Sequence, residues 1–324
     1  MDVMDISSEE DQPVYDSLLF IALEDLDSSI ILYHREHYPQ SVFYLQQAVE
    51  KAVKSLGLLF EIVSERDLFR RVGHKPLEIY RRPISKISTD LPALNKELDN
   101  HPEFRDLLKI SGIDFDELAS STKNLVHQFD EYLSTVVDYN LSSEVFSEII
   151  SMIGQVNREI ETAEEKIRGE GIREEEFDAI QDDLRKQFEA LFISIHIPSP
   201  QKEAMRDELN SFFTSFFPNK EFFEYLVYVL LKIVRIAQNL FYLSIITSPH
   251  ATKSRYPEDN FNPLEFYTPG SLLMNKLPEL QGITRHTLEE MDGLYDLIFD
   301  LLDDAPGVSK DAGLILSPGE ESNE

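Results

Sequence analysis

A run of basic residues between positions 65 and 82 carries side chains that are suited to binding a phosphate group. Arginine presents a planar fork of N–H donors that matches phosphate oxygens, and lysine adds a compact positive charge. The alternative is a solvated segment whose cations pair with nearby carboxylates, since exposed pairs of this kind contribute little. The residues are Arg66, Arg70, Arg71, His74, Lys75, Arg81 and Arg82.

A second basic cluster follows much later in the chain. Arg255 directly precedes Tyr256, and an arginine beside an aromatic ring predicts a clamp that binds an anionic nucleotide by charge and stacking. His250 and Lys253 lie just before this pair and are assigned to the same nucleotide- or phosphate-binding site. The alternative is that Arg255 forms a salt bridge that holds a turn of the chain.

Two histidines are weak candidates for catalysis. His74 lies in the basic segment, where an imidazole can act as a base beside a bound phosphate. His127 has apolar neighbours, which favours a place at the edge of the core over a catalytic role. Lys51 and Lys54 are secondary candidates for the phosphate groove, with a solvated helix face as the alternative.

No metal and no cofactor are expected. The carboxylates at 174–176 and 182–183 lack the ordered spacing and the glycine of a calcium loop. The chain contains no cysteine, which excludes thiolate ligands, disulfides and cysteine nucleophiles. The chain contains no P-loop motif and no GxGxxG, HExxH or GxSxG motif.

Charge is distributed unevenly along the 324 residues. The formal net charge of −30 disfavours non-specific binding to a nucleic-acid backbone, because the overall field repels phosphates. Residues 51–86, however, hold nine Lys and Arg against four Asp and Glu, and residues 218–257 hold five against two. Two basic islands therefore lie in an acidic protein.

Apolar residues recur with a helical period along the chain and no segment alternates with period two, which predicts an all-α fold. A loop plus a short helix is expected over 65–82, short helices and turns over 88–113, and loop-like chain over 248–273. The helices around 142–169 and 174–195 predict an antiparallel hairpin with a charged tip. The main helices are expected at about 14–34, 38–64, 114–138, 142–169, 174–195, 220–247 and 284–304.

The N-terminus lacks the basic and apolar regions of a signal peptide. The most apolar stretch, 222–246, is interrupted by Lys232, Arg235, Gln238 and Asn239, which predicts a buried core helix and not a membrane span. We therefore expect a cytoplasmic protein with no membrane partner.

Three stretches resemble the HEPN domain family. The segment 38–59 is close to the family's aromatic, Gln-Gln-Ala, Glu-Lys-Ala, Lys pattern, and 241–263 ends in its Arg-Tyr-Pro-acidic pattern. Gly73-His74-Lys75 falls where such domains often have a histidine. The stretches read ALEDLDSSIILY (22–33), YPQSVFYLQQAVEKAVKSLGLL (38–59) and FYLSIITSPHATKSRYPEDNFNP (241–263).

The resemblance implies a HEPN-like up-and-down helical bundle formed by residues 14–82 and 220–304. An all-helical insertion would occupy residues 83–219, and a disordered acidic tail would occupy 305–324. It also implies that the protein forms a homodimer and binds a nucleotide or RNA. The resemblance further implies a role beside a nucleotidyltransferase or in a toxin–antitoxin or defence system.

Nuclease members of the family place an arginine before a histidine with four to six residues between them. This chain has no such pair: Arg70 is four positions before His74, and Thr122 occupies the arginine position before His127. The leading prediction is therefore a binding module that uses the basic segment and the Arg-Tyr-Pro-Glu segment. The alternatives are a degenerate or unorthodox HEPN ribonuclease using His74 or His127, and a helical interaction scaffold without a ligand.

Overall fold

The computed structural model describes residues 13–98, 115–136, 139–194, 220–258 and 260–304. Within these ranges the chain forms eight longer helices and no β-strand, and an isolated bridge pairs Glu258 with Phe261. The predicted all-α class is confirmed. The helices are α1 (Val14–His34), α2 (Tyr38–Leu59), α3 (Leu77–Leu98), α4 (Phe115–Val136), α5 (Ser143–Gly169), α6 (Glu174–Ser194), α7 (Lys220–Thr247) and α8 (Leu272–Asp304).

Backbone contacts divide the chain into two compact units. The first comprises the described residues within Met1–Asn95, Phe115–Glu159 and Val234–Asp292, and the second those within Lys96–Asp114, Ile160–Ile233 and Gly293–Glu324. All candidate site residues belong to the first unit. The predicted boundaries of a bundle and an insertion stay a prediction, and the predicted tail at 305–324 lies outside the described residues.

Small polar residues lie at the contact of α1 with α2. Ser29 and Ser41 are fully buried, and each hydroxyl donates to the other residue's carbonyl oxygen at 2.8 Å. The Gln281 side chain of α8 also donates to the Ser29 hydroxyl at 2.9 Å. Because serine is short and all these groups are satisfied, the helices approach closely without leaving buried donors unpaired. The apolar positions around this contact are buried, among them Leu19, Ala22, Leu26, Val42, Leu45, Val49, Val53 and Leu56.

Helix α3 continues through two prolines, one of them in the stretch 88–113 where the sequence predicted short helices and turns. The expectation of a short helix ending at 82 and short helices with turns after 88 is wrong for residues 77–98, which form one helix containing Pro83 and Pro92. A proline inside a helix removes a backbone hydrogen bond and is unfavourable by about 3 kcal/mol. Tertiary contacts hold the helix: Ile79 is buried, and the Tyr80 hydroxyl donates to the Ala237 carbonyl at 3.0 Å.

Helix α8 begins twelve residues earlier than predicted, and it also contains a proline. Pro278 has no N–H to donate to the Met274 carbonyl one turn before it. The Tyr33 hydroxyl of α1 donates to that carbonyl at 3.4 Å. Met274, Leu277 and neighbouring residues are buried, and this burial stabilises the helical turns that precede Pro278.

The second unit is held by contacts of α6 and α7. The rings of Phe177 and Phe223 lie 5.6 Å apart, and the Ile172 N–H donates to the Glu224 carboxylate at 2.5 Å. Gly171, at φ +66°, turns the four-residue connection between α5 and α6, where a left-handed residue without a Cβ is favoured. A Cβ at Gly171 would lie only 2.8 Å from Glu224 Oε1.

Helix α7 is long and apolar enough to cross a membrane by length and composition, and half of its most apolar window is buried. The core helix of a water-soluble protein meets the same criteria, so one such helix is a weak indication of a span. Residues buried in the first unit include Ile236, Leu240, Leu243, Ile245 and Ile246.

Gly57 in α2 provides a test of this packing. A Cβ there would lie 3.0 Å from Ile79 Cγ2 and 3.2 Å from Val63 Cγ2, and both neighbours are almost fully buried. Alanine favours a helix over glycine by about 0.5–1 kcal/mol, whereas overpacking a core costs about 1–3 kcal/mol. We expect Gly57→Ala to lower the free energy of unfolding by about 1 kcal/mol in urea denaturation.

Gly282→Ala in α8 is the matched control, because nothing lies within 4 Å of the added Cβ. That variant should keep or gain stability through helix propensity alone. A Gly57→Ala protein as stable as the Gly282→Ala protein would show that Ile79 and Val63 can move aside.

Candidate phosphate-binding surface

One face of α2 organises the candidate site. Phe43, Gln46, Gln47, Glu50 and Lys54 recur at intervals of three and four residues, so a period of 3.6 places them on the same side of the helix. Glu50 is the one acidic residue in the sequence of α2, and it is 3% exposed. The face therefore has a buried carboxylate near its middle.

The Glu50 carboxylate accepts three hydrogen bonds. Gln46 Nε2 donates to Oε2 at 2.8 Å, Lys54 Nζ donates to Oε1 at 2.8 Å, and His74 Nδ1 lies 3.0 Å from Oε1. Burial by itself raises the pKa of Glu50. The hydrogen bonds from Lys54 and Gln46, together with the positive charges of Lys54 and His74, lower the pKa by more than burial raises it. The pKa of Glu50 is therefore below its ordinary value. The buried carboxylate is therefore ionised and paired.

The His74 imidazole is fixed at one ring nitrogen and open at the other end. Because an ionised carboxylate accepts, Nδ1–H donates to Glu50, which leaves Nε2 as the acceptor of the neutral ring. The side chain is 71% exposed. It follows a π-helical turn, Leu68–Val72, and Gly73 at φ +52°. A carboxylate that orients an exposed imidazole is an arrangement suited to proton transfer or to donation toward an anion.

Acidic neighbours neutralise part of the basic segment. Arg81 donates to both oxygens of Asp130 at 2.7 and 2.9 Å, and Arg82 donates to Asp67 at 3.3 Å. The bidentate bond from Arg81 holds the pKa of Asp130 below its usual value. These two arginines thus connect the segment to its neighbours, which is the alternative that the sequence left open.

Other cations of the segment stay available. Arg66, Arg70 and Lys75 are exposed, and none forms an ion pair with another residue in the part of the chain that the structure describes. The Arg71 side chain lies outside the described part. The available charge therefore lies around His74.

The secondary candidates on α2 are already paired. Lys51 is bonded to Asp25 of α1 and lies 3.3 Å from Gln47 Oε1, and Lys54 is bonded to Glu50. Both lysines support the surface through these bonds, and their predicted contact with a phosphate stays a prediction.

His250 and Lys253 hold their segment in place. His250 is 3% exposed, and its Nδ1 lies 2.8 Å from the Tyr267 hydroxyl, so the predicted direct contact with a ligand is incompatible with its burial. Lys253 Nζ is bonded to Glu258 and lies about 5 Å from the ring centroids of Tyr139 and Phe261. Both residues therefore act as internal anchors.

Arg255 and Tyr256 face outward from this anchored segment. The Arg255 guanidinium carbon lies 4.8 Å from the Phe43 ring centroid and 5.1 Å from that of Tyr256. Its Nε–H donates to the Ala251 carbonyl at 3.0 Å, and among the described residues it has no carboxylate partner. Tyr256 is 57% exposed. A cation fixed by two rings and one backbone bond is a prepared fork for an oxyanion.

The two distant segments meet on α2, as the ligand-binding prediction requires. His250–Lys253 packs against α2, Arg255 lies on Phe43, and His74 is bonded to Glu50. Phe43 and Glu50 are seven residues apart, which is two helical turns on one face and about 10 Å along the axis. We call this face, with Arg255 at one end and Arg70, His74 and Lys75 at the other, the α2 surface.

The sequence predicted that His127 lies at the edge of the core, and the structure shows that this is wrong. It is exposed on α4, where its charge helps to lower the pKa of Asp130 after the larger effect of Arg81. No contact in the described structure links it to the α2 surface.

Sequence reasoning missed Glu50 and Phe43. The signal that could have found Glu50 is its place as the one acidic residue in the sequence of α2. Within the described residues no group of three or more His, Asp or Glu could hold a metal ion. An open depression of about 410 Å³ lies between α1 and the start of α2, lined by Ser28, Ile31, Leu32, Gln40 and Tyr44.

The segment that carries α1, α2 and the basic cluster has recognisable relatives. Residues 15–96 match the HEPN domain. The predicted HEPN resemblance is confirmed for this stretch, which extends past the expected boundary at residue 82. The resemblance of residues 241–263 stays a prediction.

A curated protein of Methanocaldococcus jannaschii, named "Putative toxin MJ1304", is 36% identical to this chain over 91 residues. The match covers 28% of this chain and 55% of that protein, so the chain spans about half the length of the curated relative it matches. No solved structure matches.

Glu50→Gln tests the electrostatic centre of the HEPN segment. A carboxyl whose pKa is lowered by folding stabilises the protein above its ordinary pKa of 4.5, and this contribution is lost as pH falls through the folded-state pKa. We expect the variant to lose about 1.5–3 kcal/mol of unfolding free energy at pH 7. The difference from wild type should shrink below pH 4.5 in urea titrations.

Glu279→Gln is the control, since Glu279 forms an exposed pair with Lys276 and should change stability little. A Glu50→Gln deficit that is the same at pH 7 and pH 3.5 would contradict the role of an ionised carboxylate.

Proposed function

We propose that this protein binds the phosphate groups of a nucleotide or RNA on the α2 surface. The observation that carries the proposal is the convergence of Arg255 and His74 on one helix face, with exposed Arg70 and Lys75 close to His74 in sequence, in a chain of net charge −30. Among the described residues Arg70, Lys75 and Arg255 have no acidic partner, so an external anion can pair with them. Phosphate oxygens match the arginine fork, and His74 adds an Nε2–H donor when its ring is protonated.

The match of residues 15–96 to the HEPN domain is compatible with this role, and the name of the Methanocaldococcus jannaschii relative supports a toxin context. We propose that the protein acts in the cytoplasm in a toxin–antitoxin or defence system, as a homodimer and with a nucleotidyltransferase as a partner. These partners rest on the family resemblance and on one partial relative.

Arg255→Ala tests the binding proposal. Thermal-shift titrations with ATP, GTP and inorganic pyrophosphate should raise the melting temperature of the wild type, because a ligand of the folded state stabilises it. Loss of one charge-assisted fork should weaken binding at least tenfold. Arg255→Lys keeps the charge but loses the fork, and we expect an intermediate affinity.

The control is Arg173→Ala, which removes the same charge from an exposed pair with Glu176 in the second unit. No shift with any of the probes or with RNA, or a shift of equal size in Arg255→Ala, would favour an interaction scaffold without a ligand.

A second candidate is RNA cleavage, which the Glu50–His74 pair favours. The open imidazole nitrogen can accept a proton while the buried carboxylate orients the ring and stabilises its charged form. The role of base falls on His74 here, since His127 is exposed on α4 without contact to the α2 surface within the described residues.

This candidate predicts that 5′-labelled RNA is cleaved by the wild type and by His127→Ala, and at least a hundredfold more slowly by His74→Ala. Intact RNA after incubation with the wild type leaves binding as the function. Cleavage that is lost in His127→Ala but kept in His74→Ala would move catalysis to α4.

A further inference from the structure

Two aromatic rings hold the ammonium group of Lys253. Its Nζ lies 5.1 Å from the Tyr139 ring centroid and 5.0 Å from that of Phe261, and it is bonded to Glu258. The Tyr139 ring also lies 5.5 Å from the Phe261 ring and 5.7 Å from the Phe266 ring, measured between centroids. A cation over two rings is attracted by the electrons of both. Lys253 therefore has a defined position, although part of its side chain is exposed.

Tyr139 reaches Lys253 from a different part of the chain. It lies in the connection between α4 and α5 and is partly exposed. Phe261, Phe266 and Glu258, in contrast, follow Lys253 in the next stretch of the sequence. Glu258 and Phe261 exchange two backbone hydrogen bonds, at 2.8 and 3.0 Å, which hold that stretch beside Lys253. The Tyr139–Lys253 contact thus links the α4–α5 connection to the segment that carries Arg255.

The helical turn that Lys253 anchors also holds the Arg255 fork. Lys253 is the last residue of the turn His250–Lys253, and Arg255 follows two residues later. The Arg255 backbone N–H donates to the Thr252 carbonyl, and its Nε–H donates to the Ala251 carbonyl, both at 3.0 Å. Both acceptors belong to the anchored turn. A displacement of Lys253 therefore displaces the guanidinium as well.

We infer that Tyr139 is a positioning residue for the anion site, through which the α4–α5 connection holds the Arg255 fork in place. The affinity for an anion then depends on the position of this connection. An anion on Arg255 restrains Tyr139 in return, because coupling between two sites is reciprocal. This inference rests on the proposed phosphate binding and adds its regulation: residue 139 belongs to the predicted insertion 83–219, which thereby influences binding at the α2 surface.

Variants that delete or keep the Tyr139 ring test the inference. ATP, inorganic pyrophosphate and 5′-labelled RNA are titrated with the full chain at a temperature where circular dichroism shows every variant to be folded. Tyr139→Leu should weaken binding of each probe that the wild type binds by about fivefold, since a cation–π contact contributes about 1 kcal/mol. Tyr139→Phe keeps the ring and should restore the affinity to within about twofold of wild type.

Tyr132→Leu is the matched control. Tyr132 lies on α4 and is 37% exposed, against 38% for Tyr139. Its replacement removes the same ring from a similar environment and should leave the affinities unchanged.

A mutant cycle separates positioning from a contribution to stability. In the Arg255→Ala background, Tyr139→Leu should have no further effect on affinity, because the fork that it positions is missing. The double variant Lys253→Met/Glu258→Gln keeps the net charge and should weaken binding as much as Tyr139→Leu does. A residue that only stabilised the fold would lower the melting temperature and leave these affinities unchanged.

The sequence contains no tryptophan, so a single introduced tryptophan reports on the contact directly. Tyr139→Trp places this ring at Lys253, and its fluorescence emission should change with the same midpoint as binding of the probe. A Tyr132→Trp protein should show no such change.

Equal affinities of Tyr139→Leu and wild type, or an emission of Tyr139→Trp that does not respond to a bound probe, overturn the inference while phosphate binding stands. Absence of binding of every probe by the wild type overturns the proposed function itself, and the inference with it.

Discussion

The buried carboxylate of Glu50 is the constraint on which the candidate site depends. A charge removed from water must be paired with opposite charge and hydrogen bonds, or folding becomes unfavourable. Glu50 meets that requirement with Lys54 and Gln46 of its own helix and with His74 from the following segment. The carboxylate therefore attaches the basic segment to α2 and fixes one ring nitrogen of His74, so that stability and site geometry depend on the same contact.

The basic residues fall into two groups that the charge pattern alone does not separate. Lys51, Lys54, Arg81, Arg82 and Lys253 are each bonded to a carboxylate and hold neighbouring segments together. Arg70, Lys75 and Arg255 have no such partner among the described residues. The paired group builds the scaffold of the α2 surface, and the unpaired group supplies the positive potential. Arg70, Lys75 and Arg255 are thus available to an anion in a protein whose overall charge is strongly negative.

The Arg-Tyr-Pro-Glu segment shows how buried groups prepare an exposed one. His250 is packed against Tyr267 inside the protein, and Lys253 is enclosed by two aromatic rings and Glu258. These contacts fix the short helical turn His250–Lys253 against α2. Arg255, just beyond it, is then restrained by a backbone bond and by Phe43. Such restraint lowers the conformational entropy that Arg255 loses when an anion is bound. His250 and Lys253 therefore contribute to the affinity for an anion without contacting it.

By itself the sequence determined the helical class, the positions of α1, α2 and α5 to α7, and the HEPN resemblance of the N-terminal segment. These features depend on helical periodicity and local motifs, which involve residues close together in the chain. It also located the basic clusters, since charge is a property of composition. It did not determine that α3 and α8 continue through Pro83 and Pro278, nor which cations are free. Those outcomes depend on groups distant in sequence, such as Tyr33 beside Met274, Asp130 beside Arg81, and Glu50 beside His74. Only the tertiary structure decides them, because a hydrogen bond or ion pair exists only when folding brings both partners within reach.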